Sequence, residues 1–351
     1  MSFLIEKNVS LAEFTTFKIG GRAGFFASAG SETEVVEALQ FAKQNNLNVF
    51  ILGGGSNVLI ADEGFDGLVL QIALKGISIS RGDEKIVRVT AQAGEDWDEF
   101  VKLCVQKNLQ GVECLSGIPG WVGGTPVQNV GAYGQEVSET IASVQCFDRE
   151  SEKVIELTNA ECKFAYRTSL FNTIERNRYI VLAATFALRT NGEPKIVYRD
   201  LQNYFGDRKP NLRETREAVI KIRAAKSMVI DPQDPNSRSA GSFFKNPIVT
   251  KEKFTEIEEL AHLSGIEIVP FFTVDNNSVK IPAAWLIEKS GFHKGFQKET
   301  VGLSTNHTLA VVNLGNAKAA DILALKDEIE SKVKHCFQVE LKPEPVFVGF
   351  Q

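Results

Sequence analysis

Ile51-Leu52-Gly53-Gly54-Gly55-Ser56-Asn57-Val58-Leu59 places three glycines between two apolar strand patterns, Asn48 to Leu52 and Val58 to Ile60. Glycines straight after a strand let backbone amides turn toward one anion, as in a phosphate-binding nest. Ser56 and Asn57 add side-chain hydrogen-bonding groups. The stretch is not the phosphate loop of nucleotide hydrolases, because no Gly-Lys-Ser/Thr follows. It also fails the dinucleotide fingerprint of a Rossmann fold. Counted from Gly53, the third glycine falls on Val58, and a strand follows where a helix belongs. A tight turn between two strands is the alternative reading.

Outward from this turn, Ser31 to Glu34 is a capping box before a periodic run through Val35, Leu39 and Ala42. That predicts a helix ending near Asn45-Asn46. With a strand at Leu68 to Ile72, the chain up to about residue 75 reads as a small α/β unit. A second, mostly antiparallel unit follows. Ile86 to Ala93 alternates as a strand, and Asp96 to Glu99 opens a helix through Trp97, Phe100, Val101 and Cys104. Val144 to Asp148 and Lys153 to Leu157 predict a hairpin, Tyr179 to Arg189 a long strand, and Leu212 to Lys226 a helix. Ser227 to Ser239 has no periodicity and reads as a linker. A third unit carries helices near Lys251–Leu263 and Pro282–Lys289, a strand at Leu309–Asn313 and a long helix at Ala317–His335. The tail, Phe337 to Val348, is strand-like.

The 351 residues suggest two or three domains, and 43% apolar with 24% charged residues is ordinary for a globular protein. A net charge of -5 without a basic block argues against nucleic acid or an anionic membrane as partner. The longest apolar stretch, Ile180 to Leu188, is far short of the about 20 residues that span a bilayer. Met1-Ser2-Phe3-Leu4-Ile5-Glu6 lacks a signal-peptide pattern, so a cytoplasmic chain is expected. Five scattered cysteines without a Cys-x-x-Cys pair read as reduced thiols. The four histidines, His262, His293, His307 and His335, show no zinc-protease spacing, so no metal site is expected.

Four further stretches could carry chemistry. Leu115 to Gly134 holds six glycines within Gly117 to Gly134, yet Ile118, Trp121, Val122, Val127 and Val130 are apolar. Such a segment can lay bare backbone against an extended ligand, and long ordered loops are usually functional. In Phe164-Ala165-Tyr166-Arg167, the Arg167 guanidinium sits in an aromatic setting and suits a carboxylate, although an ordinary structural ion pair is the commoner case. Ser239 to Pro247 sets Ser242 beside two phenylalanines, with Lys245 and Asn246 behind. It is no nucleophile elbow, since Phe244 stands where the last glycine belongs, and a turn serine is the plainer reading. In Pro343-Glu344-Pro345, a carboxylate is held in rigid extended backbone, which suits a positioned acid or an edge strand.

Taken in order, these stretches resemble the UDP-N-acetylenolpyruvoylglucosamine reductase (MurB) family of bacterial peptidoglycan precursor synthesis, in the subgroup with a tyrosine substrate loop. The matching segments are Thr15 to Gly21, Gly53 to Leu59, Ile118 to Gly134, Tyr166-Arg167, Gly241 to Pro247 and Pro343-Glu344. The resemblance implies an α+β fold of the vanillyl-alcohol-oxidase/PCMH type, with two α+β FAD domains and a C-terminal α/β substrate-binding domain. The implied divisions are 1–75, then 76–227 with the C-terminal strand 337–351, and 228–336 for substrate. By resemblance, Gly53, Gly54, Gly55, Ser56 and Asn57, with Ile118, Pro119, Gly120, Gly123 and Gly124, hold FAD, and Tyr133 and Arg223 lie near the flavin. Histidyl attachment in the FAD domains is excluded because no histidine precedes His262, so non-covalent FAD is expected.

The implied reaction reduces UDP-N-acetylglucosamine enolpyruvate with NADPH as co-substrate. Reduced flavin N5 passes hydride to the enolpyruvyl methylene carbon, and the adjacent carbon becomes an enolate-like carbanion. Stabilising that charge is the main demand on the site. By resemblance Arg167 and Glu344 sit at the carboxylate, Glu344 best as a hydrogen-bond donor. Ser242 gives the proton as general acid. Tyr198, Lys226, Asn246 and Gln297 match substrate contacts. A monomer or weak oligomer is expected, with no nucleic acid partner and no membrane insertion. Two rivals remain at this level: another flavin oxidoreductase of the same fold that oxidises an alcohol or sugar, and a non-catalytic nucleotide-sugar binding protein.

Overall fold

Leu68 to Ile72 is apolar on both faces, as a strand flanked by parallel neighbours must be. In the computed structural model it lies in the strand Phe65–Ile72, between Arg22–Ala29 and Val49–Leu52, both parallel to it. Ile5–Ser10 closes this four-stranded sheet, antiparallel to Arg22–Ala29. The described residues are 4–83 and 85–350; Met1 to Phe3, which begin the N-terminal stretch read above, lie outside them, as do Glu84 and Gln351.

The chain divides into two units, each assembled from separated stretches. The first takes the described residues of Met1–Ser10, Arg22–Gly55 and Phe65–Val229. Its four-stranded sheet is covered by helix α1 (Glu32–Gln44), which buries Val35, Ala38 and Ala42 against Ala27, Leu68 and Leu70. The Ser31 hydroxyl accepts from Glu34 N at 3.3 Å, as its pattern predicts. The Glu34 carboxylate, however, reaches back to Gly30 N rather than to Ser31, at 2.6 Å.

The second sheet of this unit is antiparallel throughout. Its order is Lys153–Thr158, Ile141–Asp148, Tyr179–Thr190, Ile86–Gln92 and Ile77–Arg81, with Leu109–Gln110 on the end of Tyr179–Thr190. Helix α2 (Trp97–Gln106) is capped by Asp96, whose side chain accepts from Glu99 N at 3.0 Å. It buries Trp97 and Phe100 against Phe186, the two phenyl centroids 4.8 Å apart. Burying one such ring contributes about 1.5–3 kcal/mol. Helix α3 (Arg199–Phe205) lies in a segment the sequence reading left without structure. Helix α4 (Leu212–Ala224) begins with the reciprocal cap of Asn211 and Glu214.

The second unit takes Leu11–Gly21, Ser56–Gly64 and the described residues of Ile230–Gln351. Helices α5 (Lys251–Leu263), α6 (Ala283–Lys289) and α7 (Ala319–Phe337) pack around Phe243, Ile257, Leu286 and Ile329. The tail is not strand from Phe337. That residue ends α7, and only Val346–Val348 is strand, parallel to Val58–Ile60. The linker expected at Ser227–Ser239 is well tied in its later part. The Ser237 hydroxyl donates to Asp231 O and Asp234 O, and Asn236 Oδ1 accepts from Thr305 N at 3.0 Å.

Candidate active site

Within the first unit the two glycine-rich stretches meet. A side chain on Gly54 would put its Cβ 2.9 Å from Gly120 Cα and 3.1 Å from Trp121 Cδ1. Only bare backbone allows that approach. By contrast, a Cβ on Gly53 or on Gly124 would meet nothing within 4 Å. The pressed glycines therefore join the turns, and Gly53 and Gly124 leave an open, side-chain-free cradle. Open space beside side-chain-free backbone leaves room for a dinucleotide pyrophosphate, so these residues fit the group, although the Gly124 amide itself donates to Trp121 O at 3.0 Å.

The second turn is fixed by its backbone. Trp97 N donates to Gly120 O at 3.0 Å, Val122 N to Glu95 O at 2.9 Å and Gly123 N to Ala93 O at 2.9 Å. Gly120 has φ +118°, which favours glycine. Ile118 and Pro119 are half-buried just before it. Gly117 N donates to Asp98 Oδ1 at 2.5 Å, and Arg223 Nε donates to Gly117 O at 3.1 Å.

Arg223 also donates to Met228 O at 2.7 Å, and its charge lies close to the Tyr133 phenol. Burial lowers the pKa of this guanidinium. Burial raises the Tyr133 phenol, and the Arg223 charge opposes that rise. Tyr133 meets Tyr198 edge-on, with centroids 5.3 Å apart. Tyr198 precedes α3 and accepts from Leu201 N and Gln202 N through its carbonyl. Lys226 Nζ pairs with Asp200 on that helix at 2.6 Å.

Arg167 occupies a two-residue turn, closed by Ala165 N to Thr168 O and Thr168 N to Ala165 O at 3.0 and 3.1 Å. Its Nη2 donates to Gly131 O at 2.7 Å, so the guanidinium lies along the glycine-rich stretch.

In the second unit, Asn57, Ser242 and Glu344 share one backbone neighbourhood. Phe244 and Pro343 form a bridge, Glu344 N donates to Phe243 O at 2.8 Å, and Lys245 N donates to Lys342 O at 2.9 Å. Asn57 Nδ2 donates to Glu344 O at 3.3 Å, and Val346 N returns to Asn57 O at 3.0 Å. Gly241, at φ +71°, turns the chain into Ser242, while Phe243 and Phe244 beyond it are buried against each other. Asn246 Oδ1 accepts from Ala283 N at 2.8 Å, at the start of α6. Gln297 is exposed on the short strand Gln297–Lys298. Gly55 falls in the first unit and Ser56 in the second.

Three polar residues that hold these segments escaped the sequence reading. Glu113 is fully buried, and its carboxylate accepts from Gly111 N, Gln135 Nε2 and Lys195 N. Asp98 takes both Arg216 prongs, at 2.6 and 2.8 Å. Asn129 lies under the Arg167 turn. Asp98 in a first helical turn carried a weak signal as an N-terminal acid; Glu113 and Asn129 carried none.

Two family models match the chain. One, described as UDP-N-acetylenolpyruvoylglucosamine reductase, C-terminal domain, covers residues 232–348; the other, FAD binding domain, covers residues 23–158. A UDP-N-acetylenolpyruvoylglucosamine reductase of Thermobifida fusca is 44% identical over 356 residues, covering 99% of both chains. That of Streptomyces coelicolor is 43% identical over 347 residues, covering 97% of this chain and 89% of its own. The crystal structure of UDP-N-acetylenolpyruvylglucosamine reductase from Thermus caldophilus superposes with a TM-score of 0.66 at 23% identity, over 99% of each chain. The α+β flavin-binding fold expected from the resemblance is thus the fold of the chain.

Proposed function

The chain belongs to the UDP-N-acetylenolpyruvoylglucosamine reductase family, and from that premise we propose that it reduces UDP-N-acetylglucosamine enolpyruvate to UDP-N-acetylmuramate, with NADPH as co-substrate. This is a step of peptidoglycan precursor synthesis, and so of cell-wall biogenesis, cell shape and division. FAD, held without a covalent bond by Gly53 to Asn57 and Ile118 to Gly124, would supply hydride transfer from NADPH to the enolpyruvyl methylene carbon.

The protein's own residues divide the remaining work. The side-chain-free backbone of Gly53, Gly54, Gly120 and Gly124 makes room for the cofactor pyrophosphate. Tyr133 and Arg223 stand by the flavin, the Arg223 charge close to the Tyr133 phenol. Arg167 binds the substrate carboxylate through its planar fork, which favours the charge that grows as the carbanion forms. Glu344 meets the same carboxylate. Ser242 gives its hydroxyl proton to the carbon beside the carboxylate. Tyr198 covers the diphosphate, with Lys226, Asn246 and Gln297 on the UDP-sugar. The protein works in the cytoplasm as a monomer or weak oligomer; among the described residues no helix is long and apolar enough to cross a membrane.

The backbone bridge that holds Ser242 beside Glu344 supports this reading best. An alcohol oxidase has no use for a proton donor beside an acid at the substrate carboxylate. The test is an anaerobic absorbance trace. NADPH bleaches the yellow protein, and the enolpyruvyl UDP-sugar recolours it. In Ser242→Ala the bleaching stays near wild type and the recolouring slows about a hundredfold or more. Equal damage to both steps removes Ser242 as proton donor, and a wild type that bleaches without recolouring removes the substrate.

A further inference from the structure

We propose that Asn129 is a positioning residue for the substrate carboxylate, because it fixes both the turn and the guanidinium of Arg167. This rests on the role of Arg167 proposed above. Arg167 has φ +54°, a left-handed conformation that a long side chain adopts only where its surroundings hold it. Asn129 is 1% exposed, itself at φ +45°. Its Nδ2 donates to Ala165 O at 3.1 Å, at the entrance to the turn. Its backbone carbonyl accepts from Arg167 Nη1 at 3.4 Å, beside the 2.7 Å contact of Nη2 with Gly131 O. One residue therefore refers the start of the turn and the tip of the side chain to the same point.

Asn129 is itself anchored. Its Nδ2 also donates to Glu136 Oε2 at 2.8 Å, and its Oδ1 accepts from Ser138 N at 3.1 Å. A surface cavity of about 400 Å³, lined by Asn129, Glu136, Lys163 and Ala165 among others, borders this junction. Displacing a charge-stabilising group by about 1 Å can cost about a hundredfold in rate.

Asn129→Asp tests this with little change of volume. Aspartate keeps the acceptor for Ser138 N, loses the donor to Ala165 O and sets a charge against Glu136. Bleaching by NADPH is expected to stay within about twofold of wild type, while recolouring by the enolpyruvyl UDP-sugar slows about ten- to a hundredfold and its KM rises. Affinity for UDP-N-acetylglucosamine, which lacks the carboxylate, stays unchanged. In an Arg167→Lys background the same change adds little, because coupled residues are not additive. Hydrogen exchange at the Thr168 amide, which closes the turn, speeds up in Asn129→Asp whatever the substrate.

Wild-type exchange and wild-type recolouring together overturn the proposal. So does an equal loss in bleaching, UDP-N-acetylglucosamine affinity and recolouring. If Asn129→Asp fails to hold flavin, Glu136→Gln takes its place, since it keeps the side-chain shape and weakens the anchor of Nδ2. The same pattern is expected there at smaller size, and wild-type behaviour counts against Asn129. A wild type that is never recoloured refutes the assigned reaction instead, and the exchange measurement still decides whether Asn129 holds the turn.

Discussion

At Gly54 the absence of a side chain is a packing requirement, and at Gly124 the proposed FAD cradle would make it a binding one. The Cβ of Gly54→Ala would meet backbone at 2.9 Å, and neither turn has a flexible side chain that could yield. The apoprotein is expected to lose about 1–3 kcal/mol, as overpacked sites do, and to bind flavin weakly. Gly124→Ala puts its methyl into open space. Its apoprotein should melt with the wild type, yet flavin affinity should fall, because the methyl occupies the cradle. Apoprotein melting and flavin titration separate the two cases. A Gly124→Ala protein that binds flavin normally would show that this face is not the cradle. An unchanged Gly54→Ala apoprotein would show that the turns can part.

Between elements, Asp98 ties α2 to α4 and to the glycine-rich stretch at once, through both prongs of Arg216 and the amide of Gly117. Burial, the largest single influence, pushes its pKa up. The Arg216 and Gly117 hydrogen bonds and the nearby guanidinium charges outweigh it and hold the carboxyl below the usual range. A depressed carboxylate stabilises the fold above its unfolded pKa, about 3.9, and that stability is lost as pH falls through the lower folded value. Wild type should therefore lose stability below about pH 4 more steeply than Asp98→Asn, which at neutral pH starts about 1–2 kcal/mol less stable. Parallel acid profiles of melting temperature would exclude Asp98 as the source. The same network marks the limit of sequence reading. Helix α5 was expected at Lys251–Leu263 and runs over those residues, because its periodicity and its Thr250 cap are local. The strand Arg22–Ala29 was not expected, since its small and apolar residues give no clean alternation. The glycine turns stood out by composition. Glu113 and Asn129 did not, because a buried polar side chain is justified by distant backbone partners that no local pattern shows.

Over the whole molecule, the C-terminal family model covers one continuous stretch, residues 232–348. The structure builds its core with more than that stretch. Phe17, Ile19 and Leu59 are buried in the same cluster as Phe243, Ile257 and Leu286. The Phe17 ring meets Phe243 edge-on at 6.3 Å, and Asn313 Nδ2 donates to Phe17 O at 2.9 Å. Val58–Ile60 is the parallel partner of Val346–Val348, and Asp62 accepts from Ala319 N and Ala320 N at the start of α7. A fragment limited to 230–351 would expose Phe243 and Phe347, leave the Val346–Val348 strand without its ladder and leave α7 without its acid cap. Each buried ring forfeited costs about 3–5 kcal/mol, comparable with the whole stability of a domain this size. The isolated fragment is thus expected to retain helical far-ultraviolet dichroism, bind a hydrophobic dye and melt without a cooperative transition. Restoring residues 11–21 and 56–64 by short glycine-serine linkers should recover a cooperative melt. A sharp transition and near-ultraviolet signal from 230–351 alone would show that these two N-terminal stretches decorate the core of the second unit without completing it.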